Sequence, residues 1–246
     1  MERVAKICGF FTLYTLLIGC VQTQPLMSHA HVGHALTGWH DTPGQKGLFL
    51  VAEEELAIAV VESRSAWQSV RDAKARVQHL ENALNALNPD LQPVGTGAGY
   101  GAIRALEGAI DHMEFAASSD DASDNFVASV IGISGFGDRV LERLKQAQNL
   151  AAQAIKHEQP SDHLTREVYA MIKSAYRGED TDGDGRIDGG VLMLRDHLQA
   201  MLDREQNPRY EPVSRRYVLG LIRLPNGKWG YRLPKRDRSA VVYSGY

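Results

Sequence analysis

Two short stretches hold side chains whose types and spacing suit metal chemistry. The first is DTDGDGRIDGGV, residues 180–191. Asp180, Asp182 and Asp184 alternate, and Gly185 follows them where the backbone would have to turn sharply for the three carboxylates to converge. Hard oxygen donors in that arrangement suit calcium. The second stretch is the histidine-rich run containing His29, His31, His34 and His40. Imidazole is the commonest metal ligand, and His29, His31 and His34 could present two or three nitrogens to one transition-metal ion. The bland alternatives are a solvated acidic turn and a polar tether whose histidines bond near Trp39.

The acidic stretch resembles an EF-hand loop, most closely in its first half. The resemblance implies side-chain oxygens from Asp180, Asp182 and Asp184, a backbone carbonyl from Arg186, an apolar Ile187, and Asp188 acting through water. The departure is Val191, which stands where a bidentate carboxylate belongs. The implied site is therefore weak, nearer about 10⁻⁴ M than the ~10⁻⁷ M of sensor loops. Glu179 and Asp196 lie close enough in sequence to bend inward, and Val191→Glu is expected to restore the missing ligand.

The N-terminus starts MERVAK, continues ICGFFTLYTLLIG and reaches Cys20. A short basic region before about thirteen mostly apolar residues is too short for an ordinary membrane span and suits a secretory signal. Leu17-Ile18-Gly19-Cys20 resembles the bacterial lipobox, which implies removal of residues 1–19 and lipid on Cys20. Val21 after the cysteine is similar to the outer-membrane sorting pattern. The alternative is an uncleaved N-terminal anchor. Export would place the acidic loop where weak calcium sites fill.

These residues need elements to position them. The composition is 43% apolar and 23% charged, which excludes wholesale disorder, and its Ala and Leu favour helices. Residues 20–47, broken by Pro25, Gly33, Gly38, Pro43, Gly44 and Gly47, read as a histidine-containing tether. Three- and four-residue apolar steps predict helices over about 50–70, 72–87 and 102–117. A fourth helical region is interrupted near 132–137 and resumes over 138–157. Two more helices, about 162–176 and 190–203, flank the acidic loop. After Pro208 the pattern changes: Tyr217–Leu224, a Pro-Asn-Gly turn and Trp229–Leu233 predict a β-hairpin. This last segment is basic, while the remainder of the chain is acidic.

Other candidates are thinner. His79 and His112 each share a helix side with alanines, which leaves room for a haem or metal in a bundle, although alanine stripes more often bring helices together. GTGAGYG, residues 95–101, loosely fits a dinucleotide fingerprint, but no strand precedes it, so it reads as a helix–helix connection able at most to hold an anion. No nucleophile elbow is present. Glu53, Glu54 and Glu55 suit the first turn of a helix.

The expectation is a mainly α protein: signal peptide 1–19, tether 20–47, helical bundle 48–207 carrying the EF-hand-like loop at 180–191, and a basic hairpin appendage 208–246. Its expected role is that of a cell-envelope calcium-binding lipoprotein without catalysis, facing the periplasm or exterior from the outer membrane. The competing expectation is a redox protein holding haem or a transition metal through its histidines. Expected partners are the membrane, through lipid, and an anionic envelope polymer or lipid at the basic tail, in preference to nucleic acid.

Overall fold

The computed structural model describes residues 26–157, 160–180, 183–184, 187 and 189–205, with the backbone of 221–223 and 229–231. Among the described residues there are seven α-helices: α1 Met27–Leu36, α2 Leu48–Gln68, α3 Ala73–Leu87, α4 Ala102–Ser118, α5 Asp124–Ile155, α6 Asp162–Arg177 and α7 Val191–Arg204. A 3₁₀ turn, Pro43–Gln45, precedes α2. Two three-residue strands, β1 Leu221–Arg223 and β2 Trp229–Tyr231, pair antiparallel with Ile222 opposite Gly230. The hairpin appendage expected over 208–246 is not shown as a unit, since the residues around these strands, like the signal peptide and Cys20, lie outside the described residues.

Helices α2 and α5 organise the bundle. Helix α2 packs on α3, α4 and α6, while α5 packs on α3, α4, α6 and α7. Their shared core is aliphatic, with Leu56, Leu80, Leu87, Leu106, Leu144, Ile172 and Leu198 buried. Alanines at Ala59, Ala83, Ala105, Ala109, Ala147 and Ala151 are buried too, so the stripes beside His79 and His112 serve close helix packing. Three helices begin on local side-chain caps: Asp72, Ser123 and Ser161 accept from the backbone N–H groups of Ala75, Phe126 and Leu164.

Two regions differ from the sequence expectation. Helix α5 runs unbroken through Gly132, Gly135 and Gly137. Glycine lowers helix stability by about 1 kcal/mol relative to alanine. Close packing offsets this at Gly137, where a Cβ would meet Ile110 Cδ1 at 2.5 Å. The second difference lies in the stretch read as a tether. Residues 27–36 form α1, which buries Val32, Ala35 and Leu36 and packs mainly on α4. Its first residue has no local cap; instead Asp121, on the α4–α5 loop, accepts from Met27 N at 2.6 Å and Ser28 N at 2.9 Å. Burial works to raise Asp121, but these donors outweigh it and hold its carboxyl below the usual carboxylate range.

Candidate metal centre

Docking α1 on α4 brings three imidazoles together. His31 and His34 are one helical turn apart on α1, and His112 faces them from α4. Each offers one ring nitrogen, and these three atoms all lie within 4.8 Å of one another. His31 Nδ1 and His112 Nδ1 are 3.0 Å apart, so one carries a proton and the other accepts it. His34 Nδ1 is buried with no hydrogen-bond partner, an uncommon state for a polar atom. The rings are walled by Trp39, whose centroid is 4.6 Å from His34 and 4.9 Å from His112, and by Phe115, 5.4 Å from His31.

Electrostatics favours neutral imidazoles here. Burial, reinforced by the neighbouring His112, His31 and His40, pushes His34 down to about 4. Burial, reinforced by His31, pushes His112 to about 4 as well. His31 is lowered by burial, against the pull of Asp121. Neutral imidazole is the ligating form. On a tetrahedral zinc with bonds of about 2.0–2.1 Å, neighbouring nitrogens stand about 3.3 Å apart. The three nitrogens therefore need displacements of only about an ångström to share an ion. Three protein ligands leave a fourth position open.

The same shifts set an acid limit on stability. His34 and His112 titrate lower in the folded chain than in the unfolded one, so the unfolded state binds more protons between about pH 4 and 6.5. Their contribution is fully present above pH 6.5 and is lost as pH falls toward 4. Glu53 runs the other way: burial raises it to about 7 despite the adjacent Arg195, so its protonation stabilises the fold at acid pH. The histidine term is isolated by comparing melting temperatures of the metal-free wild type and a His34→Gln/His112→Gln variant at pH 7 and 5. The wild type is expected to lose more on acidification; equal losses would refute buried neutral imidazoles.

The other sequence candidates are distributed differently. His29 is buried and meets Phe126 edge-on at 5.8 Å, outside the three-histidine cluster. His79 is held by Glu62 at 2.7 Å, and Glu62 also accepts from Asn82 and Thr96. His40 meets Trp39 edge-on, with ring centroids 4.4 Å apart. Glu53 does not sit in a solvated first turn: it is buried and ion-pairs with Arg195 on α7.

The glycine-rich loop already holds an anion, and that anion is internal. Buried Glu55 accepts from Ala98 N at 3.0 Å, Tyr100 N at 3.0 Å and Gly101 N at 3.1 Å. Asn85 accepts from Gly97 N at 2.9 Å and donates to Gln92 O at 2.7 Å. A Cβ on Gly97 would meet Glu55 Oε2 at 2.8 Å, which explains the glycine. The N–H groups of Gly97, Ala98, Tyr100 and Gly101 are therefore already engaged.

Of the acidic loop, Asp182, Gly185, Arg186 and Asp188 lie outside the described residues. Among the described residues, the two ends of the stretch between α6 and α7 approach each other. Asp180 Oδ1 accepts from Gly183 N at 2.7 Å, and a Cβ on Gly190 would meet Gly178 N at 2.3 Å, so the loop's two ends touch. Arg143, from α5, brings a guanidinium within 3.0 Å of where a Gly189 Cβ would lie and donates to Ser174. Val191 is fully buried in the core. A carboxylate there would start among aliphatic side chains. Val191→Glu is therefore expected to destabilise the fold by about 3 kcal/mol or more, by burying an unpaired charge. Chemical denaturation with and without calcium checks this; calcium-rescued, wild-type stability would instead show that residue 191 can turn into the loop.

No known protein family, curated protein or solved structure matches the chain. No described helix is long and apolar enough to cross a membrane.

Proposed function

We propose that this chain binds a transition-metal ion of the zinc or copper class through His31, His34 and His112. The observation that carries the reading is the convergence of three half-buried imidazoles from two helices, one with a buried nitrogen lacking a hydrogen-bond partner among the described residues. An ion suits this geometry better than haem. With His31 and His112 nitrogens 3.0 Å apart, no planar macrocycle fits between them. The aromatic wall of Trp39 and Phe115 lowers the local dielectric and restrains the rings, so a bound ion would meet a preorganised set of ligands.

The setting is the bacterial cell envelope, with lipid on Cys20 holding the bundle near a membrane. The basis is the sequence of residues 1–20 alone. The role is capture or buffering of the ion; the fourth coordination position leaves room for an exogenous ligand. Elemental analysis of protein isolated from its membrane fraction without chelators tests this. About one equivalent of zinc or copper, lost in His34→Ala, is expected; a metal-free wild type that takes up neither ion on titration would overturn it.

A second reading, calcium at residues 180–191, is favoured by the contact of the loop's ends between α6 and α7. With Val191 in the core, its affinity stays near about 10⁻⁴ M. The C-terminal residues 208–246 are read as a basic hairpin whose charge meets an anionic polymer or lipid.

A further inference from the structure

We propose that the face made by the end of α2, the α2–α3 turn and α6 is a docking surface for an anionic lipid bilayer. This goes beyond the metal reading and does not depend on it.

Residues 26–205 hold 16 Lys and Arg against 27 Asp and Glu, so cations should find partners easily. Several do: Lys46, Arg76, Arg104, Lys145 and Arg195 are in ion pairs, and Arg143 and Arg204 hydrogen-bond to Ser174 and to the Ala200 carbonyl. Yet the exposed side chains of Arg64, Arg71, Lys74, Arg166, Lys173 and Arg177 make no ion pair or hydrogen bond among the described residues. These six belong to one region; Lys156, at the end of α5, is likewise exposed without such a partner, and Arg139 lies over the Phe136 ring. Arg76, in the first turn of α3, donates to Ser69 O on one side and to Pro160 O on the other, and ion-pairs with Asp162. This ties the α2–α3 turn to the start of α6. Trp67 stacks on Tyr169, with centroids 5.5 Å apart and planes 14° apart, which joins the two helices at the middle of the face. On α6, Arg166, Tyr169, Lys173 and Arg177 recur at three- and four-residue steps and so share one side. Of the nearby acids, Asp162 pairs with Arg76, Asp72 caps α3, Glu62 holds His79, and Glu167 on α6 faces His163 at 3.8 Å.

The apolar content selects the occupant. Val61 and Val70 are 62% and 59% exposed beside these cations, and the aromatic pair is half-buried. Trp and Tyr favour the headgroup layer, and exposed valines gain by entering it, while Lys and Arg meet anionic headgroups. A soluble polyanion would use the cations and leave the valines in water. Near an anionic leaflet each Lys or Arg changes partitioning by about fivefold.

Hydrogen exchange on the full chain bound to vesicles tests the assignment. On vesicles of phosphatidylglycerol and phosphatidylcholine, exchange at residues 69–72 is expected to slow relative to pure phosphatidylcholine vesicles. The difference should vanish at high salt and in Arg64→Gln/Arg71→Gln/Arg166→Gln/Lys173→Gln. If that variant loses helix content, Arg166→Gln/Lys173→Gln replaces it and should lose most of the difference. Equal exchange on the two vesicle types, or slowing that survives these substitutions, would overturn the proposal. So would slowing by dextran sulfate without any by phosphatidylglycerol, which would make the partner a soluble polymer.

Discussion

Replacing His112 by alanine in the full chain will weaken zinc binding by on the order of 100-fold or more, since losing even a supporting residue of a metal site costs about 10–100-fold. In the proposed site His112 would be the ligand from the opposite wall. Without it, His31 and His34 remain as two imidazoles on one helix, and a four-coordinate ion would have two open positions where it had one. His29→Ala is the matching control. It removes a neighbouring histidine of α1 that packs on Phe126 and takes no part in the cluster. It should lower stability by about 1–3 kcal/mol through lost packing while leaving zinc affinity within a few-fold of wild type. Competition against a chromophoric chelator measures both. Similar affinity losses in the two variants would place the ion on the α1 histidines in general, away from the α1–α4 interface.

Glu55→Ala is expected to be among the most damaging single substitutions, destabilising by about 3–5 kcal/mol. One buried carboxylate satisfies three backbone N–H groups of the loop that leads into α4. Alanine leaves all three donors inside the protein with nothing to accept them and opens a cavity besides. For a chain of this size the melting temperature should fall by on the order of 10 °C. Because α4 carries His112, the loss should couple to the metal: added zinc should recover part of the melting temperature by mass action. A shift of only one or two degrees would mean that the loop readily finds water in place of Glu55.

Much of the helical framework was legible because it rests on local signals. Asp72, Ser123 and Ser161 cap the helices that follow them, and apolar steps such as Leu80, Leu84 and Leu87 face the core. What stayed hidden depends on partners distant in sequence. Helix α1 contains glycine and histidines and lacks a local cap; Asp121, more than ninety residues away, supplies it. The break expected at 132–137 ignored what a missing Cβ allows, namely the approach of Ile110 to Gly137.

The site divides along the same line. His31 and His34 could be chosen from spacing alone, and His112 was visible as a histidine among alanines. Joining them required the α1–α4 contact, which no periodicity encodes. His29 was grouped with them by proximity in sequence, yet it lies on the Phe126 side of the same helix. Glu55 was read as one of three acids suited to a helix start, although Glu53 and Glu55 are buried and Glu54 pairs with Lys46. The clue was present in the glycines of 95–101, which permit a backbone to close around a carboxylate, but the carboxylate itself is forty residues upstream.

The most direct test of the metal centre is X-ray absorption on the zinc-loaded full chain, recorded beside the spectrum of His31→Ala/His34→Ala/His112→Ala. Three imidazole nitrogens at about 2.0–2.1 Å are expected in the wild type, completed by one further oxygen or nitrogen donor, with the imidazole scattering lost in the triple variant. A wild-type shell built from carboxylate oxygens, or imidazole scattering that persists without His31, His34 and His112, would contradict the assignment.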